Sequence, residues 1–206
     1  MDIPSIFSIA FSAACALSLF IGIYTLYLNP HSRTNVLFFV LSAALGIWAF
    51  GFGMAISADS LAMALFWRRF SALGWGAFFS AMLHFFLVFT GGSDTGRNKW
   101  RYILLYIPAF LTYLGFTYFP GLNPDQYNLV LTPLGWINFA VNNAWDWFYM
   151  VYYTCYSAAG FIMLWLWGKK DDNPRKKKLA FLISCSFAVT LLFGAAIDTL
   201  GNMILP

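Results

Sequence analysis

The sequence is dominated by six long apolar stretches that are separated by shorter polar ones. About 20 consecutive apolar residues are needed for a helix to cross the hydrocarbon core of a bilayer. The predicted spans are residues 3–28, 36–56, 61–90, 100–119, 145–167 and 179–205. Only 10% of the residues are charged, against about 25% in a soluble domain. The sequence therefore predicts an all-α fold, a single polytopic transmembrane bundle of about six helices over residues 1–206.

The longest connection joins the fourth and fifth spans, over residues 120–144. Residues 127–132 have a β-prone composition, a proline-glycine turn follows, and residues 136–139 could form a second short strand. Two interpretations remain open for this segment. It is either a small hairpin or lid on the membrane surface, or an irregular interfacial loop that is anchored by Trp136 and Trp145.

The basic residues predict the orientation of the chain. Ten of the twelve Lys and Arg residues fall in, or directly beside, the connections after the first, third and fifth spans. The opposite side carries acidic residues and no loop Lys or Arg; these acids are Asp2, Asp59, Asp125 and Asp146. Because cytoplasmic loops of membrane proteins are enriched in Lys and Arg, the N-terminus and the 120–144 connection should lie outside. The basic loops should face the cytoplasm.

Four ionisable residues lie well inside the predicted spans, away from their ends: Arg68, Arg69, His84 and Asp198. Such residues are costly in a bilayer and are functional candidates for that reason. Arg68, Arg69 and Asp198 should lie at similar depth in the outer half, where Asp198 could pair with one arginine. Consecutive residues point about 100° apart on a helix, so the other arginine would snorkel or face an anion. The alternatives are interfacial anchoring for the arginines and a capping or structural pair for Asp198.

A ligand-binding site near the outer face is predicted from this polar set. Asn202 lies one helical turn beyond Asp198 and should share its face. The candidate ligand-binding residues are Arg68, Arg69, Asp198, Asn202 and Trp136. A site at the outer face that contains two arginines would suit a small anion or carboxylate. His84, near the inner end, is interpreted as a hydrogen-bonded packing residue, with a proton or metal role as the alternative.

Catalytic motifs are not found in the sequence. There is no H-E-x-x-H, no G-x-S-x-G and no P-loop. The three cysteines form no C-x-x-C pair, and no lysine lies within a span to hold a retinal Schiff base. We therefore expect no catalytic residues, no metal, no cofactor and no enzymatic activity in this chain. Nucleic acid is not expected as a partner either, because the basic residues follow a membrane pattern.

Three segments resemble a known family. They are residues 66–74 (FWRRFSALG), residues 83–91 (LHFFLVFTG) and residues 131–136 (LTPLGW). Together they are similar to the third helix and the outer T-P-x-G-W segment of the seven-transmembrane N-terminal sensor region of bacterial histidine kinases. The resemblance implies a signal-input module in the bacterial cytoplasmic membrane, upstream of a kinase or of a cyclic-dinucleotide enzyme. That family has seven helices, of which this chain offers the first six.

The leading hypothesis is therefore a membrane-embedded sensor domain that binds a small ligand near its outer face. Two alternatives stay open, a small permease or channel and a structural assembly subunit. The expected partners are membrane lipid, a small and anionic ligand, and a second copy of the chain in a homodimer. Any kinase activity would belong to a further C-terminal part.

Overall fold

The computed structural model describes residues 2–91, 99–119, 121–170 and 173–204, without the side chains of residues 99, 118 and 190–204. Within these ranges the chain forms six α-helices and one two-stranded sheet. The elements are α1 (Ile3–Leu28), α2 (Arg33–Ile56), α3 (Leu61–Phe89), α4 (Lys99–Tyr113), a π-helix (Leu114–Tyr118), β1 (Asn128–Thr132), β2 (Gly135–Phe139), α5 (Ala144–Lys169) and α6 (Pro174–Ile204).

The predicted helical character of the chain is confirmed. A helix lies over each of the six segments that were predicted as spans, and the fourth continues as the π-helix. In the described part of the chain, α1, α2 and α3 are long and apolar enough to cross a membrane by length and composition. Membrane crossing by α4, α5 and α6 stays a prediction.

Polar side chains fix where several helices begin. The Ser32 hydroxyl accepts a hydrogen bond from the backbone of Asn35 at the start of α2, and the Ser60 hydroxyl accepts one at the start of α3. Asn143 caps α5, and the side chain of Asp146 accepts a hydrogen bond from the backbone N–H of Asn143 in return. These caps satisfy backbone donors that a helix N-terminus leaves unpaired. The side-chain amide of Asn143 also donates to Asn123, which ties the start of α5 to the 121–127 loop.

The packing of α3 against α2 depends on small residues. A Cβ added at Gly74 would collide with the backbone of Ala44 and Trp48, and one added at Gly51 would lie 2.8 Å from the backbone nitrogen of Ser71. Small residues let helix backbones approach closely where the hydrophobic effect gives no drive for association. Below this contact α3 forms the centre of the core, whose largest fully buried side chains are Phe79, Phe86, Met82 and Leu164.

Helix α1 lies at the edge of the bundle and packs against α2. Its one buried residue is Gly22, whose added Cβ would lie 2.7 Å from the Cβ of Ser42. Large apolar side chains of α1, such as Phe20 and Leu17, are more than half exposed. An exposed apolar helix face of this length is what lipid would cover.

A buried polar cluster joins α3, α4 and α5 inside the apolar core. The hydroxyl of Tyr152 donates to the Gly76 carbonyl at 3.0 Å and accepts from the Ser80 backbone N–H at 3.0 Å. The Ser80 hydroxyl, 2.7 Å from that of Tyr152, donates to the Leu105 carbonyl, which also accepts from Tyr156 at 3.1 Å. We call this set the core hydroxyl cluster.

A proline lies next to the carbonyl that accepts from two side chains. Pro108 lies inside α4, three residues after Leu105. Proline lacks an N–H, so the carbonyl four residues earlier, that of Leu104, has no intrahelical donor. The Leu105 carbonyl in the same turn accepts from hydroxyl groups of α3 and α5, which hold this part of α4 to its neighbours.

The connection between α4 and α5 contains the hairpin, one of its two predicted forms. Strands β1 and β2 are antiparallel and pair from Asn128–Phe139 to Thr132–Gly135, so Pro133 and Leu134 form the turn. Gly135 has φ +102° and lies against the carbonyl of Ile56 at the end of α2. A side chain there would be strained and would also collide with that carbonyl. The glycine therefore lets the hairpin rest on the α2–α3 turn.

Candidate functional site

A polar layer covers the end of the bundle where α3 begins. It consists of Arg68, Arg69, Gln126, Tyr127 and Trp136, and we call it the polar cap. Three parts of the chain meet there: the first turns of α3, the 121–127 loop and the hairpin. Three of the five residues that the sequence predicted for a ligand site belong to it.

Arg68 holds the hairpin to α2 and α3. Its side chain is 8% exposed, and its Nη2 donates to the backbone carbonyl of Trp136 at 3.3 Å. The guanidinium lies 4.0 Å from the ring centroid of Phe52 on α2. A desolvated cation over an aromatic face is stabilised by about 2 kcal/mol. Arg68 thus points into the protein and serves as a contact between three elements.

Trp136 is an anchor of the hairpin. Its indole N–H donates to the carbonyl of Ala58 in the α2–α3 turn at 2.8 Å, while its own carbonyl accepts from Arg68. The side chain therefore ties β2 to the same end of α2 and α3 that Gly135 contacts. A direct role of Trp136 in ligand binding stays a prediction.

Arg69 turns to the 121–127 loop. Its Nε donates to Oε1 of Gln126 at 3.0 Å, and its side chain is partly exposed. Gln126 is 5% exposed, and its Nε2 has no acceptor among the described residues. Asn123 in the same loop is 2% exposed, and its Nδ2 likewise has no acceptor among the described residues. Each buried donor without an acceptor costs about 1–3 kcal/mol.

Tyr127 connects the cap to α4. Its hydroxyl donates to the carbonyl of Phe116 in the π-helix at 2.9 Å and lies 3.4 Å from the carbonyl of Arg68. Burial raises the pKa of the Tyr127 phenol above its ordinary value, although Arg68 and Arg69 act in the opposite direction. The phenol therefore keeps its proton and remains a donor. Short π-helical segments are frequent at functional sites.

The 121–127 loop is also tied to the start of α5. The side-chain amide of Asn143 donates to Oδ1 of Asn123 at 2.9 Å, and the indole N–H of Trp145 donates to the carbonyl of Leu122 at 2.9 Å. The Trp145 ring covers Gly115 of the π-helix so closely that an added Cβ would collide with it. The loop therefore contacts α3, α4 and α5, and a shift of the loop would act on all three.

The side chains of the two remaining predicted site residues, Asp198 and Asn202, lie outside the described residues. Both positions fall within α6. The predicted pair of Asp198 with an arginine, and the share of Asn202 in the site, stay predictions.

The sequence did not single out Gln126, Asn123 or Tyr127. The available signal was slight: Gln126 is the one glutamine of the chain, and it sits in a connection that carries several other polar residues. Its burial depends on how the loop folds back onto α3, which no periodic pattern reveals.

His84 lies away from the polar cap. Its Nδ1 is 3.1 Å from the hydroxyl of Tyr106, and its ring centroid is 4.6 Å from that of Tyr102. Among the described residues, no three His, Cys, Asp or Glu side chains lie close enough together to hold a metal ion. In this geometry His84 is a hydrogen-bonded packing residue between α3 and α4.

Nearly the whole chain matches one known protein family. Residues 10–203 match the family described as the N-terminal 7TM region of histidine kinase. Neither a search of curated proteins nor a search of solved structures gives a match. The family match and the apolar helices together identify a membrane protein. The resemblance of the two α3 segments and of the hairpin sequence is thereby confirmed: the chain belongs to the family of N-terminal seven-transmembrane regions of histidine kinases.

Proposed function

We propose that this chain is a non-enzymatic signal-input region in the bacterial cytoplasmic membrane and that its stimulus acts at the polar cap. The cap would lie on the outer side, with the basic loops in the cytoplasm. This orientation follows from the distribution of Lys and Arg. A small ligand at the cap would favour one of two arrangements of the bundle, and the change would pass to a histidine kinase module.

One observation carries this proposal: the cap joins the hairpin, α3 and α4 through side-chain hydrogen bonds. Arg68 binds the hairpin, Arg69 binds the 121–127 loop, and Tyr127 binds the π-helix that continues α4. A ligand that moves the loop therefore changes contacts at the ends of at least two helices. Beyond the π-helix, α4 contains Pro108 and is held by the core hydroxyl cluster at the Leu105 carbonyl. This gives a contiguous route from the cap to the centre of the bundle.

A permease or channel would need a polar path across the bundle. Below the cap, the described core is filled by large apolar side chains, including Phe79, Met82 and Phe86. The hydroxyls of the core hydroxyl cluster bond to one another and to backbone carbonyls and form no continuous path. No described feature therefore favours transport. A structural subunit or a homodimer would use the exposed apolar faces, which lipid also explains, so no observation selects these alternatives.

The variant Trp136→Leu tests whether the cap controls the output. It removes the hydrogen bond to Ala58 and should release the hairpin from the α2–α3 turn. We expect the autophosphorylation rate of the histidine kinase that receives the signal to change several-fold in isolated membranes. The amount of protein in the membrane should stay the same. Phosphate incorporation from labelled ATP, divided by the protein level from a blot, gives the measurement.

The control for this experiment is Trp147→Leu. Trp147 is 56% exposed on α5, and its side chain forms no hydrogen bond with the described residues of the polar cap. This variant loses the same indole group, so its kinase rate should equal that of the unmodified chain. If Trp136→Leu gives the same rate as Trp147→Leu, the cap does not act on the output and the proposal is wrong.

A further inference from the structure

The polar cap contains a buried hydrogen-bond donor, on Gln126, that faces no acceptor among the described residues. Arg69 donates through Nε to Oε1 of Gln126, and among the described residues no carboxylate forms an ion pair with Arg69. Nε2 of the same glutamine is buried without a partner. Two donor groups thus lie side by side, one of them charged, with a single amide oxygen between them.

The shapes of the Arg69 guanidinium and the Gln126 amide indicate which kind of acceptor would bind between them. A guanidinium presents its N–H groups as a fork that matches the two oxygens of a carboxylate. The side chain that faces Arg69 is the amide of Gln126. Its oxygen Oε1 accepts from Arg69, whereas its nitrogen Nε2 is a second donor. A group with two acceptor oxygens on one planar carbon would satisfy both Arg69 and Nε2.

We propose that Arg69 and Gln126 form a binding site for the carboxylate of a small organic acid, which would be the ligand of the sensor described above. The inference rests on the proposed function, since it names the ligand class of the same cap. Arg69 is partly exposed and forms the entrance. Nε2 of Gln126 is covered, so the carboxylate reaches it only when the 121–127 loop shifts. Binding is therefore coupled to movement of the segment that contacts α3, α4 and α5.

The variant Gln126→Glu tests the site because it builds a carboxylate into it. The new side chain would replace Nε2 by an oxygen and bind Arg69 through both oxygens. Thermal unfolding of the purified protein in detergent is measured with acetate, inorganic phosphate or chloride at matched ionic strength. For the unmodified chain the midpoint should rise steadily with acetate, as for a ligand that binds only the folded state. The variant should have a higher midpoint without acetate and no response to it.

Two further variants serve as controls. Asn138→Asp makes the same change of an amide into an acid on the neighbouring strand β2, where Oδ1 accepts from the Asn128 backbone, so its acetate response should be unchanged. Gln126→Met keeps the length of the side chain and removes its donors, so acetate binding should weaken at least several-fold. This second variant still tests the site if Gln126→Glu does not fold.

Several results would overturn the inference. They are an unmodified chain that does not respond to acetate, a Gln126→Glu variant that responds like the unmodified chain, and a response to chloride of equal size. A response to phosphate without one to acetate would also overturn the carboxylate assignment. The experiment is independent of the kinase. If the unmodified chain does not respond to acetate but Trp136→Leu changes the kinase rate, the carboxylate assignment is wrong and the proposed sensor function still stands.

Discussion

Replacement of Gly74 by alanine is expected to destabilise the bundle by about 2–3 kcal/mol, the upper part of the range for overpacking a tight contact. A Cβ at this position would collide with the backbone of Ala44 and Trp48 on α2, and backbone cannot rotate away as a side chain can. The two helices would have to separate along their whole contact. Unfolding of the purified protein by titration with SDS in mixed micelles measures the free energy of unfolding.

Gly121→Ala is the matched control for this prediction. Apart from its chain neighbours, no described residue lies within 4 Å of a Cβ added at Gly121, so the same methyl group should change the free energy of unfolding by less than about 0.5 kcal/mol. Equal stability of Gly74→Ala and Gly121→Ala would mean that α2 and α3 are not packed as described.

The second large effect is expected for Tyr152→Phe, at about 1–3 kcal/mol of lost stability. The change removes one hydroxyl group and keeps the aromatic ring of the side chain. It deprives the Ser80 hydroxyl and the Gly76 carbonyl of a partner in the interior. A double-mutant cycle with Ser80→Ala should give a coupling energy of at least about 0.5 kcal/mol, because the two hydroxyls are in direct contact.

Tyr153→Phe provides the comparison. Tyr153 is the next residue on α5 and packs its ring against Phe79, and its hydroxyl donates to no described residue. Loss of that hydroxyl should be close to neutral. If both tyrosine variants lose the same stability, or if Tyr152 and Ser80 show no coupling, the core hydroxyl cluster does not hold α3, α4 and α5 together.

Hydrophobic length predicted where the helices lie, because crossing a bilayer requires long apolar segments, and the apolar residues of the 120–144 connection form only short runs. The capping residues Ser32, Ser60 and Asn143 then set helix starts close to the ends of those segments. Between α4 and α5 the β-prone residues left two interpretations open. The choice depends on Gly135 resting against Ile56, which is a tertiary contact and therefore invisible in the local sequence.

The polar cap was accessible from the sequence only in part. Two arginines within an apolar span stand out, and the structure brings Arg68 into contact with Trp136, although through a backbone carbonyl. Gln126 could not be found in this way, since a glutamine in a loop is ordinarily exposed. Tyr152 was missed for a related reason: it lies in an aromatic-rich helix, where one tyrosine with three hydrogen-bond partners looks like its neighbours.

The most direct test of the account is the side of the membrane on which the hairpin lies. In a chain whose Cys15, Cys155 and Cys185 are replaced by alanine, a single cysteine is introduced at Leu131, which is 63% exposed, or at Lys170. Intact cells are then treated with a membrane-impermeant maleimide. The account predicts that Leu131→Cys is labelled in intact cells and that Lys170→Cys is labelled only after permeabilisation. The opposite pattern would place the polar cap in the cytoplasm and contradict an outward-facing sensor.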